Sequence, residues 1–274
     1  MNMTDLKKLQ SVQLEIMDEV HRICAEHQIT YYIVGGTALG AVRHGGFIPW
    51  DLDIDVAMPR ADYERFAQIA PTSLANRYIY RDYKNTHNFM HPHALICVRN
   101  TFLSTKYDSL NSREENVGIY LDIFPIDVIP DEPVLCRKHL MDIERVKRIK
   151  YLRRGYLYSK QPLKNAAKKM VAALLFFYKI DKLNAKFDRV CQYYENTESS
   201  LRCLTSGRYG CFKEIMPAAI FGTPQLVKFE DRMYFAPEQL EEYLTRIYKD
   251  YMTLPPEEER QANLNYFDKV ILDK

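Results

Sequence analysis

The run Tyr31-Tyr32-Ile33-Val34 is β-type, stops on Gly35-Gly36, and restarts at Thr37 as a short helix through Val42. Seventeen positions after Gly36, the segment Asp53-Ile54-Asp55-Val56-Ala57-Met58 alternates polar and apolar, as a strand with one wet face does. Side chains two apart on a strand share a face, so Asp53 and Asp55 bring two carboxylates to one spot, about 7 Å apart along the chain. Such a pair suits Mg²⁺, with Mn²⁺ as the alternative, because a hard cation takes carboxylate oxygens and leaves its other positions to water and substrate phosphates. The glycine turn faces that strand with unpaired helix-start N–H groups and a positive dipole, which favour a phosphate. Together the two features describe a phosphoryl-transfer arrangement. Asp51 has the same parity, but Pro49 and Trp50 mark a chain still turning there.

Around this unit the pattern predicts an α+β fold. A helix capped by Thr4 and Asp5 buries Leu6, Leu9, Ile16, Val20 and Ile23 and ends near His27; another covers Arg60–Ile69. Strands are expected at Tyr78–Tyr83, His93–Val98 and Val117–Phe124, giving a small mixed sheet flanked by helices. Short strands around Thr205–Phe229 lead to helices at Pro237–Tyr248 and after Pro255-Pro256.

The formal net charge is only +2, yet it is unevenly placed. Arg137 to Arg189 holds 16 Lys+Arg against 4 Asp+Glu, a basic helical segment attached to an acidic body. Leu140, Ile143, Val146 or Lys147, and Tyr151 recur at helical spacing, and Pro162 opens a second helix. The expected division is a catalytic core over 1–130, a basic helical subdomain over 131–200 and a C-terminal segment over 201–274 packed on the core. Within 164–182, the apolar run Met170–Tyr178 flanked by Lys168, Lys169, Lys179 and Lys182 has two readings. A buried helix with a basic rim is preferred; peripheral contact with an anionic membrane surface is the alternative. The run falls far short of the roughly 20 residues that span a bilayer. The N-terminus lacks a secretory pattern, so a cytoplasmic protein is expected, peripheral at the membrane's inner face in the second reading. Six cysteines without a C-x-x-C pair give no zinc or redox motif.

The combined motif resembles the nucleotidyltransferase superfamily, and Gly35-Gly36-Thr37-Ala38-Leu39-Gly40-Ala41-Val42-Arg43-His44-Gly45-Gly46-Phe47-Ile48-Pro49-Trp50-Asp51-Leu52-Asp53-Ile54-Asp55 resembles the LicD family more closely. The likeness continues through Leu121–Asp127, Lys228–Glu230 and Tyr248–Pro256. It implies a Mg²⁺-dependent phosphotransferase that moves an alcohol phosphate, such as phosphocholine or ribitol phosphate, from a CDP-activated donor to a glycan or lipid-linked glycan acceptor. By that resemblance Asp53 and Asp55 are catalytic metal ligands, and a third carboxylate comes from a neighbouring strand, with Asp122 the first candidate and Asp127 the second. Gly35, Gly36 and Thr37 form the substrate-binding turn, while Arg43 and His44 either contact donor phosphates or shape the loop. Leu52, Lys249 and Asn263 depart from the family's usual residues without touching the acidic pair.

Two other readings stand beside this one: a nucleotidyltransferase adding NMP to a small molecule or RNA, and a catalytically silent nucleotide-binding protein. The intact acidic pair argues against silence. No nucleic-acid partner is expected, because the basic segment lacks an aligned series of stacking aromatics. His91-Pro92-His93 has ligand-like spacing but is read as a turn or packing element, no third ligand being apparent. Glu230 either holds a loop of the site or is an exposed turn acid.

Overall fold

The computed structural model of the chain describes residues 3–105, 118–154, 170–171, 173–264 and 267–271. Helix α1 (Met3–His27) carries its apolar residues on one side and buries Leu6, Leu9, Ile16, Val20 and Ile23 against the sheet. It begins at Met3, so Thr4 and Asp5 lie in its first turn instead of capping it; Asp5 there opposes the positive helix end. Strand β1 (Tyr32–Ile33) runs into α2 (Gly35–His44), and β2 (Asp55–Pro59) into α3 (Arg60–Ser73). The expected strand from Asp53 begins two residues later, because Asp51 to Ile54 are still in the incoming loop.

Strands β3 (Tyr78–Arg81), β4 (Ala94–Val98), β5 (Phe102–Thr105) and β6 (Tyr120–Ile129) follow. The sheet order is β1-β2-β6-β4-β3, with β2 and β6 parallel and the other pairs antiparallel. The central strand β6 passes through Pro125 and on to Ile129, past the expected stop at Phe124. Proline lacks a donor but accepts extended backbone, and Phe124 and Ile126 on either side pair with Ala57 and Pro59. Both faces of β6 are covered, which explains its nearly continuous apolar run.

The basic helix α4 (Pro133–Arg154) and α5 (Ile180–Cys191) pack together on the far half of β6, where Ile129, Leu140, Ile143, Val146, Phe187 and Cys191 form a second small core. Residues 155–169, including the helix expected after Pro162, lie outside the described residues. Among those that follow, Met170, Leu174 and Phe177 are 65, 71 and 87% exposed, which corrects the preference for a buried helix. Leu175–Phe177 forms only a 3₁₀ turn. No helix among the described residues is long and apolar enough to cross a membrane.

Strands β7 (Leu201–Cys203) and β8 (Ile215–Pro217) extend the sheet beyond β6 to seven strands. The hairpin β9 (Gln225–Phe229) to β10 (Arg232–Ala236), helices α6 (Leu240–Tyr248) and α7 (Glu257–Leu264), and β11 (Phe267–Ile271), paired with β5, complete the chain. All six cysteines are outside disulfides.

Candidate active site

Two chain crossings build the floor of one large cavity of about 1170 Å³. In the first, Val34 N–H donates to Asp55 O (3.0 Å), and the buried Thr37 hydroxyl accepts the Asp55 N–H (2.8 Å). These bonds fasten the start of α2 to the start of β2, and the Gly36 N–H donates to the Asp55 carboxylate. Gly35 has φ +55°, and a Cβ there would lie 2.6 Å from Asp55 Oδ2. A Cβ on Gly36 would lie 2.5 Å from Asp51 Oδ2. Both glycines are therefore required by carboxylates pressed against the turn.

In the second crossing, the parallel ladder sets Asp55 opposite Asp122, whose N–H donates to Ile54 O (3.0 Å). One carboxylate oxygen from each of Asp53, Asp55 and Asp122 lies within 4.8 Å of the other two. Asp127 is excluded from this group. It is five residues further along the same strand, and so of opposite parity, and its carboxylate accepts from Arg60 Nε (2.6 Å) and from the Thr205 hydroxyl in the interior.

The crowding has an electrostatic signature. Burial first, and the charge of Asp122 second, push Asp53 up to about 6; burial alone pushes Asp122 up to about 8. Asp51 and Asp55 are also raised, by burial and then by Asp53. In the other direction, a hydrogen bond with Asp51 and then the charge of Arg208 lower Asp53, and Arg208 also lowers Asp51. The whole lining carries seven carboxylates against two arginines, Arg43 and Arg208. A bare diphosphate would be repelled from such a wall, whereas a hard divalent cation fits close-set oxygen donors whose charges otherwise oppose one another.

Of the residues read from the sequence, Gly35, Gly36, Arg43, Asp53, Asp55 and Asp122 line the cavity. Thr37 and His44 are not among them. The Thr37 hydroxyl is used by the backbone of Asp55, and His44 packs edge-on against Trp50 at 5.9 Å. Arg43 shapes a loop: its Nη1 donates to Tyr251 O (2.8 Å). Glu230 also holds a loop, its Oε1 accepting from Phe47 N–H (2.9 Å) while its own N–H donates to Gly45 O (2.8 Å).

Residues 28–134 match the family model "LicD/FKTN/FKRP, nucleotidyltransferase domain", a span that begins before the glycine turn and includes Asp53, Asp55 and Asp122. The chain contains a nucleotidyltransferase domain of the LicD type. Its similarity reaches well past that domain: it is 28% identical over 264 residues to the lipopolysaccharide cholinephosphotransferase LicD of Haemophilus influenzae, covering 94% of this chain and 95% of that protein. An uncharacterized protein of Rickettsia typhi is 42% identical over 57 residues, 21% of this chain and 18% of its own. Another, from Rickettsia prowazekii, is 40% identical over 57 residues, 21% of each chain.

Several lining residues were not anticipated from the sequence. Asp51 reaches the floor because the loop before β2 closes over Gly36. Arg208 and Tyr209 sit on the Thr205–Gly210 turn, which the buried Lys147 of α4 holds by donating to the carbonyls of Thr205 (3.3 Å) and Gly207. The cue was the Ser206-Gly207-Arg208-Tyr209-Gly210 turn, with its two glycines around a cation. Tyr248 and Glu259 arrive from helices α6 and α7, and Tyr251 from the loop between them.

Proposed function

We propose that this LicD-family transferase moves phosphocholine, or a similar alcohol phosphate, from a CDP-activated donor to a hydroxyl of a cell-surface glycan or its lipid-linked precursor. The hydroxyl oxygen attacks the phosphorus next to the alcohol, the bond to CMP breaks, and the hydroxyl proton is lost to water or a cavity base. The observation that carries the reading is the convergence of Asp53, Asp55 and Asp122 within 4.8 Å beside the Gly35-Gly36 turn.

Asp53, Asp55 and Asp122 would hold a divalent cation, which supplies neutralisation of the diphosphate charge and a fixed line of attack. Arg208 offers a positive group near Asp51 and Asp53. Phosphocholine is favoured over a polyol by other residues of the lining: Tyr209 and Tyr248 meet edge to face at 5.6 Å, and Asp250 and Glu259 share the cavity with them. Aromatic faces and carboxylates are what a quaternary ammonium binds. Trp50 contributes less to such a cage, because Arg260 already covers its ring at 5.3 Å. The name of the Haemophilus influenzae relative supports the same choice.

Exposed Met170, Leu174 and Phe177, with Lys179 and Lys182 close in sequence, support a peripheral contact with an anionic membrane that carries the acceptor. Flotation with anionic vesicles, lost on Leu174→Glu/Phe177→Glu, tests that contact; unchanged flotation of the variant rules it out.

Calorimetric titration with CDP-choline, CDP-ribitol, CDP-glycerol and the four NTPs, with and without Mg²⁺, tests the function. Mg²⁺-dependent binding of CDP-choline, lost in Asp53→Asn/Asp55→Asn, is expected. Binding of an NTP alone would replace the reading with nucleotidyl transfer, and no binding by either protein would leave a silent fold.

A further inference from the structure

The wall of the cavity beside Asp122 carries a second group of metal-type ligands. His91 and His93 precede β4, which pairs antiparallel with β6 so that Leu95 stands opposite Asp122. That register brings His93 Nε2 to 2.6 Å from Asp122 Oδ1. The two imidazole rings lie 5.7 Å apart, and a ring nitrogen from each falls within 4.8 Å of the other and of an Asp122 carboxylate oxygen. Neither ring is loosely placed. Phe124 packs on His93 at 4.2 Å, and Phe89 and Tyr120 pack on His91 at 5.4 and 5.9 Å.

We propose that His91, His93 and Asp122 form a second metal site, selective for a borderline transition ion such as Zn²⁺ and joined through Asp122 to the oxygen site of Asp53 and Asp55. The third ligand missing from the sequence pattern is supplied by the sheet register, so the packing role expected for the two histidines is incomplete. Ligand chemistry separates the sites: imidazole nitrogen suits Zn²⁺ and its neighbours, whereas an all-carboxylate group suits Mg²⁺ or Mn²⁺. A carboxylate has two oxygens and lone pairs enough to serve both. The proton shared between His93 and Asp122 gives way to the cation. Three protein ligands leave a fourth position for water or a substrate oxygen, and His91, Pro92 and His93 all face the cavity. Two metals sharing one carboxylate are a known way to hold both oxygens of a phosphoryl displacement.

The test measures metal content, so it stands or falls separately from the transfer reaction. The full chain, stripped with chelator, is dialysed against micromolar Zn²⁺ in millimolar Mg²⁺, and bound metal is counted by mass spectrometry. One tightly held Zn²⁺ is expected. His91→Ala and His93→Ala should each weaken it by about tenfold or more, with Mn²⁺ affinity of the oxygen site within about threefold of normal and His44→Ala without effect. Asp53→Asn should keep the Zn²⁺, and Asp122→Asn should weaken both ions. Failure of the wild-type chain to retain Zn²⁺, or full retention by both histidine variants, would overturn the proposal. Should the histidine variants melt early, the visible spectrum of Co²⁺ on the wild-type chain decides instead. An intense band of a low-coordinate, nitrogen-containing site is expected, and a weak octahedral oxygen-type band alone would also overturn it.

Discussion

Asp55 and Asp122 stand opposite each other across the parallel pair β2 and β6, the one parallel ladder among the described strands. Their carboxylates therefore meet because two backbones are hydrogen-bonded in register, and the meeting does not depend on long flexible side chains. Asp122→Asn should leave that ladder intact and remove one charge from the floor. Transfer is expected to fall by about 10²–10³-fold, the equivalent of roughly 3–4 kcal/mol of transition-state stabilisation, with an unchanged circular dichroism spectrum. Activity within about threefold of normal would remove Asp122 from the reaction.

The same crowding makes stability depend on pH. The raised carboxyls keep their protons in the folded chain where the unfolded chain, with ordinary values near 4, has lost them. For Asp53 that window runs up to about 6 and for Asp122 up to about 8. Folded-state stability without metal should accordingly fall as pH rises from about 4 to about 8. Saturating Mg²⁺ should raise the melting temperature most at the top of this range, where the carboxylates are ionised and oppose one another. A larger Mg²⁺ effect at pH 5 than at pH 8 would contradict the assignment.

Asp127 provides the contrast. Arg60 is almost wholly buried and donates to Asp127 (2.6 Å), Asp188 (3.0 Å) and Glu64 (3.3 Å), tying α3 to β6 and α5. Asp127→Ala strands a buried guanidinium with weaker partners and should cost about 3 kcal/mol in urea unfolding. Its Mn²⁺ affinity should stay normal, because the residue is on the other face of the strand. A stable variant with lost metal binding would reverse the roles of Asp122 and Asp127.

The glycine turn, the acidic pair and the α+β class were readable from the sequence because each depends on local spacing. The choice between Asp122 and Asp127 was not. It rests on strand parity across Pro125, and a proline in the middle of the segment reads as a strand end until the partner strand is seen to carry the ladder on both sides. Thr37 was placed in the substrate-binding turn with Gly35 and Gly36, yet its hydroxyl accepts the backbone N–H of Asp55. His91 and His93 lacked a third ligand only while β4 and β6 were unpaired. Arg208 and Tyr209 were hidden for another reason: a buried lysine 61 positions before Arg208, Lys147, sets the loop that presents them.

Gly35 and Gly36 make separable predictions. Gly35 occupies left-handed backbone at φ +55°, so alanine there costs about 1–2 kcal/mol in conformation alone. Its new Cβ would also meet Asp55 Oδ2 at 2.6 Å and push a member of the acidic trio out of place. A displacement near 1 Å is enough to lower catalysis by about 10²-fold, so Gly35→Ala should lose both melting temperature and transfer. At Gly36 the added Cβ meets Asp51, which lies outside the trio. Gly36→Ala should therefore retain Mn²⁺ affinity within about threefold while donor binding suffers, since Asp51 is pushed off its place in the cavity floor. Metal and donor titrations on the two variants check this split, and equal loss of Mn²⁺ in both would mean that Asp51 belongs with the metal ligands.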